Sequence, residues 1–187
     1  PDRSLSMTRS TLTAGLVLLL GAVPAAAQMD HGGHHDGSAS LEGIRGLHET
    51  VRGYLLASAE QASPELWDYR PTEEVRSFGE IVGHVANAGY AFCAAAMGTS
   101  PPQRENAEEL GSRAEVVEAL RGSFDYCADA YRMDPERADE PVSLFGQEHT
   151  RLSALAFNMG HNYEHYGNLV TYMRINGMVP PSSQAGM

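Results

Sequence analysis

Two histidines four residues apart, His161 and His165, lie in the stretch RLSALAFNMGHNYEHYGNLVTYMRIN that runs from Arg151 to Asn176. On an α-helix, side chains at i and i+4 sit one turn apart on one face, so both imidazoles can reach a single point. His-x-x-x-His is a common way to offer two nitrogens to a divalent metal ion. Two nitrogens do not complete a site, so another segment must supply at least one more. His84 is the candidate third ligand. It lies at the edge of an earlier apolar helix face, one turn after Ile81. Taken alone, a histidine there more often serves as a hydrogen-bonded core residue.

The elements that must position these rings read as four helices. The first spans about Leu41 to Gln61, with Leu41, Ile44, His48, Val51 and Leu55 at the 3–4 spacing of a buried stripe. His48 reads as a core histidine or as a partner of a metal ligand. Ser63-Pro64 ends that helix, and Trp67 to Thr72 forms a loop in which Trp67 caps one end of the core. The second helix starts at Ser77, where Ser77-Phe78-Gly79-Glu80 matches a capping box. Phe78, Ile81, Val85, Ala88 and Phe92 give its apolar face. After a loop from Met97 to Gly111, Ser112-Arg113-Ala114-Glu115 opens the third helix as a second capping box. Pro135 to Gln147 reads as a polar connection, and the fourth helix then runs to Asn176, closed by Gly177 and Pro180-Pro181. Four helices without a convincing strand predict an all-α four-helix bundle.

Cys93 and Cys127 each fall in the second half of their helix, the second and the third. If they bridge, those helices run roughly parallel and the loop before the third helix is a crossover. If they do not, they are free core thiols. The fourth helix is ambiguous. Ala154, Asn158, His161, His165, Asn168 and Tyr172 share one stripe, while Leu152, Leu155, Met159, Tyr166, Val170 and Met173 lie on another side. The histidine stripe faces either water or a polar cleft, with Phe157 and Leu169 flanking it. His149 stands about 18 Å before His161 if the helix extends that far, too distant to join the site.

Composition narrows the class. A net charge of −11 without a Lys/Arg cluster argues against nucleic-acid binding. Arg9, the apolar run Leu12 to Val23 and Ala25-Ala26-Ala27 resemble a cleaved export leader, too short to span a bilayer. The expected organisation is therefore a leader over residues 1–27, a disordered His/Gly-rich arm over 28–40, one bundle domain over 41–182 and a tail over 183–187. The expected location is periplasmic or secreted, with no membrane contact after cleavage. The arm carries His31, His34 and His35, which is either plain disorder or a weak metal-catching tract. No Cys-x-x-Cys pair, Gly-rich phosphate loop or G-x-S-x-G elbow is present.

Two stretches carry a family resemblance. One is Trp67-Asp-Tyr-Arg-Pro through Ser77-Phe-Gly-Glu-Ile-Val-Gly-His84; the other is His161-Asn-Tyr-Glu-His165 through Arg174-Ile-Asn-Gly177-Met-Val-Pro-Pro181. Together they resemble the DinB-like (DinB/YfiT) superfamily over roughly residues 41–182. The resemblance implies a bundle holding a divalent metal on His84, His161 and His165. Three nitrogens leave coordination positions free, as in catalytic rather than structural zinc sites. Zinc or nickel suits imidazole ligands. The resemblance also implies a metal-dependent transferase or isomerase that uses a low-molecular-weight thiol, or a hydrolase using water. Asn158, Tyr172 and Glu80 are candidate pocket groups. Dimerisation is common among such bundles, so a homodimer is one option, although no exposed stripe marks its contact. Two other readings stay open: a non-catalytic periplasmic metal-binding or stress protein, which the arm favours, and a bundle whose histidines carry no metal.

Overall fold

The computed structural model describes residues 37–184. The expected leader, the arm as far as Asp36 with His31, His34 and His35, and the last three residues lie outside them. Five helices follow in order: α1 (Gly37–Gln61), the single turn α2 (Pro64–Trp67), α3 (Phe78–Met97), α4 (Arg113–Tyr131) and α5 (Arg151–Ile175). The four long ones make the bundle. α1 begins at Gly37, ahead of the expected Leu41.

Helix ends follow local chemistry. Ser77 accepts from the Glu80 amide, and the Glu80 carboxylate accepts from the Ser77 amide at 2.7 Å, so the α3 capping box is complete. Ser112 forms half of one. It accepts from the Glu115 amide, but the Glu115 carboxylate takes the Ser112 hydroxyl at 2.7 Å instead of the backbone N–H.

Helix directions follow from which ends meet. Arg113, at the start of α4, donates to the carbonyls of Ala59 and Ala62 at 2.8 and 2.5 Å, so α4 runs against α1 and satisfies its C-terminal acceptors. Phe92 meets Phe157 late in α3 and early in α5, while the Tyr172 hydroxyl late in α5 donates to the Arg76 carbonyl just before α3. Those two are also antiparallel. α3 and α4 run parallel: Gly79 and Val116 line one cleft near their starts, and Cys93 and Cys127 are bridged further along, with Cα atoms 5.3 Å apart. The segment from Gly98 to Ser112 is therefore a crossover. Around the bundle the order is α1, α4, α3, α5.

The core has two parts. Val51, Leu55, Phe78, Val82, Leu120, Leu169 and Met173 fill one end. Leu41, Cys93, Cys127, Tyr131 and Leu155 fill the other. Each such large side chain contributes about 1.5–3 kcal/mol on leaving water.

The expected polar connection before α5 differs. It contains a hairpin, β1 (Pro141–Leu144) against β2 (Gln147–Thr150), antiparallel with Val142 opposite His149. Val142 and Leu144 point into the core and Ser143 points out, a period-2 pattern too short to stand out in the sequence. His149 is thus a strand residue, and the helical-rise argument applied to it does not hold. Among the described residues no helix is long and apolar enough to cross a membrane.

Candidate metal centre

α3 buries Phe78, Ile81, Val82 and Val85, which leaves His84 at the edge of its packed face. The His84 side chain is 25 % exposed. On α5 the buried residues are Arg151, Ala154, Leu155, Asn158, Asn162, Tyr166, Leu169, Tyr172 and Met173. His161 and His165 lie at the border of that set, half-buried, and face α3. The histidine stripe therefore lines a cleft between two helices.

Three Nε2 atoms meet there. His161 Nε2 lies 3.2 Å from His84 Nε2 and 3.0 Å from His165 Nε2. The three candidate ligand atoms all fall within 4.8 Å of one another. No other group of this kind occurs among the described residues. One proton on His161 Nε2 cannot serve both contacts, whereas a cation between the three would serve all. Nitrogens about 2.0–2.1 Å from a tetrahedral zinc stand roughly 3.3 Å apart, close to the two short separations. The residues present fit a divalent ion.

Burial, with His165, His84 and Arg76 adding to it, pushes the His161 pKa down to about 4. Burial, with His84 next, lowers that of His165. Both rings are thus neutral at neutral pH, the state in which imidazole ligates.

A residue that sequence reasoning missed orients the third ring. The Glu108 carboxylate stands 3.2 Å from His84 Nδ1 and also accepts from Arg76 Nε at 2.7 Å. A carboxylate there holds the imidazole proton on Nδ1 and leaves the Nε2 lone pair facing the other two rings. Glu108 comes from the crossover, which has no periodicity to read. Its seat is Gly83: a β-carbon there would lie 2.6 Å from the Ala107 carbonyl oxygen. Asn87 fixes the approach, accepting from the Ala107 amide at 2.9 Å and donating to Asn106 Oδ1 at 2.6 Å. The Asn168 amide lies 3.4 Å from His165 Nδ1 and is the corresponding group on α5.

Beside His165 opens a cavity of about 600 Å³, lined among others by Arg70, Arg76, Glu80, Asn168 and Tyr172. Glu80 pairs with Arg70 at 2.9 Å there, and Tyr172 reaches it from α5. Asn158 does not belong to this space. It is fully buried and donates to the Tyr131 hydroxyl at 3.1 Å, beside the disulfide. His48 also stays in the core, stacked on Tyr131 with ring centroids 3.8 Å apart.

A family model described as the DinB superfamily matches residues 47–169. The chain is 28 % identical over 134 residues to the uncharacterized protein YjoA of Bacillus subtilis (strain 168), covering 70 % of this chain and 84 % of that one. The crystal structure of the DinB-like YjoA from Bacillus subtilis shares the fold at a TM-score of 0.61 and 24 % identity, over 78 % of this chain and 99 % of YjoA. A DinB-like protein from Bacillus cereus ATCC 10987 does so at 0.65 and 14 % identity, over 75 % and 95 %.

Proposed function

The chain belongs to the DinB superfamily, and from that membership and the meeting of three imidazoles we propose that it holds a divalent metal ion on His84, His161 and His165 and acts as a metal-dependent enzyme. The observation that carries this reading is the 3.0 and 3.2 Å approach of three Nε2 atoms, one of them oriented by Glu108. Three protein ligands leave a free face, which suits a catalytic rather than a structural ion. Zinc or nickel matches an all-imidazole set.

Held by His84, His161 and His165, such an ion would lower the pKa of a bound water or thiol and so would supply a nucleophile near neutral pH. The chain's own residues do the rest. Glu108 keeps the His84 proton on Nδ1, and Arg76 keeps Glu108 in place. Arg70 and Arg76 face the adjoining cavity, but each is paired with a carboxylate, Glu80 and Glu108, and Glu73 and Glu74 line it too, so it favours a polar rather than an anionic substrate group. We place the reaction in thiol-linked transfer to an electrophile, or in hydrolysis. We also place the mature chain in the periplasm or outside the cell. The Cys93–Cys127 bridge supports an oxidising compartment, as does the leader-like start.

Elemental analysis tests the ion. The purified chain is expected to carry about one equivalent of zinc or nickel, and the triple variant His84→Ala/His161→Ala/His165→Ala none at low free metal. Equal loading of both would end the proposal. Turnover of electrophiles with added thiols, with and without a chelator, tests the enzyme. The stretch from Gln28 to Asp36, with His31, His34 and His35, favours a second reading: a metal-binding protein without catalysis. Full metal loading without turnover on any thiol or ester substrate would select it.

A further inference from the structure

Beyond His161, phenylalanines from α3, α5 and the hairpin tip pack together. Phe92 of α3 stands edge-on to the His161 ring, with centroids 5.1 Å apart. Phe157, one turn before His161 on α5, meets Phe92 at 5.1 Å. Phe145 at the hairpin tip joins them, 5.8 Å from Phe92 and 5.2 Å from Phe157. Phe92 is 8 % exposed, Phe157 44 % and Phe145 68 %. The two outer rings thus present aromatic surface to solvent, one ring's width from a candidate metal ligand.

Phe145 holds its place against its own backbone preference. It is the first of two loop residues between β1 and β2, with φ of 52° there and 74° at Gly146. Two positive φ values in a two-residue hairpin loop are the pattern that favours Asn-Gly. Phe145 is the one non-glycine residue with positive φ among the described residues. That region crowds any β-carbon against the carbonyl, and a bulky aromatic residue rarely adopts it. A ring two-thirds exposed gives the fold little burial in return. Asparagine would serve the turn better; what phenylalanine adds is an exposed aromatic face against Phe92 and Phe157, one ring away from His161.

We propose that Phe145 and Phe157 form a specificity wall for the metal centre and hold an aryl or similar planar apolar group of the substrate, with its reacting end at His84, His161 and His165. This rests on the metal reading above. Phe92 lies between the wall and His161, so a substrate with a few bonds between reacting atom and ring spans the gap. Aromatic rings bind such groups edge-on or offset, adding orientation to apolar burial.

The test uses zinc-loaded full chain and two chelating probes, acetohydroxamate and phenylacetohydroxamate, titrated by calorimetry. Both offer the metal the same two oxygens, so their affinity ratio reports the aryl group. The wild type is expected to favour the phenyl probe by about tenfold. That ratio is expected to fall to within about twofold in Phe145→Asn and in Phe157→Ala. The melting temperature of Phe145→Asn is expected to match or exceed that of the wild type, because asparagine suits the turn. Equal affinities in the wild type, or a ratio that survives both substitutions, overturns the wall alone. A ratio lost in Phe145→Asn only together with a lowered melting temperature assigns the ring to hairpin anchoring and also overturns it. Zinc-loaded wild type that binds neither probe overturns the free face on which the enzyme reading depends, and the wall with it.

Discussion

Glu108 couples a loop to a candidate ligand: its carboxylate selects the His84 tautomer from 3.2 Å away. Removing such a partner typically costs 10–100-fold in metal affinity. Glu108→Ala is therefore expected to bind zinc about 10–100-fold more weakly, with Glu108→Gln in between because it keeps an acceptor and loses the charge. Competition against a chromophoric chelator measures this; three equal affinities would remove Glu108 from the site. His48 makes a separate prediction. Burial, then Arg52, pushes its pKa down to about 4, and neither ring nitrogen has a partner. The folded chain keeps this ring neutral, while the unfolded chain takes up a proton below the ordinary value of 6.5. The unfolded state therefore binds more protons between those values, and stability falls as pH drops from about 6.5 towards 4. From pH 7 to 4.5 the His48 share of that loss is about 2–3 kcal/mol. In urea unfolding at those two pH values, His48→Phe is expected to lose less stability than the wild type by that amount. An identical loss in both proteins would show that His48 does not drive the acid sensitivity.

Among the elements, the crossover from Gly98 to Ser112 matters most to the site and was least legible in the sequence. The long helices announce themselves through apolar spacing and through Ser77 and Ser112 at their starts. The parallel pairing of α3 and α4 followed from where Cys93 and Cys127 fall, once bridged. That His84, His161 and His165 come together was also readable, from the i, i+4 spacing and the family resemblance. Glu108 was not, because a loop residue's contacts depend on which helix the loop crosses. Nor was the facing of α5, since Asn158, expected on the histidine stripe as a pocket group, is buried in the core, as is Asn162. The Asn158 hydrogen bond to Tyr131 makes that burial tolerable and blurs the helix's polar and apolar sides. The seat of the crossover can be tested at Gly83. A β-carbon there meets backbone atoms at 2.6–2.8 Å, which cannot swing aside as a side chain would. Gly83→Ala is expected to destabilise by about 1–3 kcal/mol and to weaken zinc binding as Glu108→Ala does. A folded Gly83→Ala protein with undiminished zinc affinity would mean that Glu108 finds His84 without this seat.

At the scale of the whole molecule, the proposed ion would tie together segments that the rest of the covalent structure leaves apart. The disulfide already joins α3 to α4, while α5 has no cross-link to the other long helices among the described residues. His84 and His161 are 77 residues apart in sequence, so an ion shared by them closes a long loop between α3 and α5. Binding that favours the folded chain adds RT ln(1 + [L]/Kd), about 2.7 kcal/mol at a free-metal concentration of 100 Kd. For a domain of this size each kcal/mol raises Tm by about 2–4 °C. Zinc is therefore expected to raise the melting temperature of the metal-free protein by roughly 5–10 °C, and a chelator to reverse the rise. His84→Ala should lose most of the shift although His161 and His165 remain, because the pair left on α5 no longer spans two helices. If the shift instead survives in His84→Ala and vanishes only when His161 and His165 are replaced, the ion belongs to α5 alone. In that case the three-ligand centre would be wrong even with metal bound, a result that elemental analysis of the triple variant could not reveal.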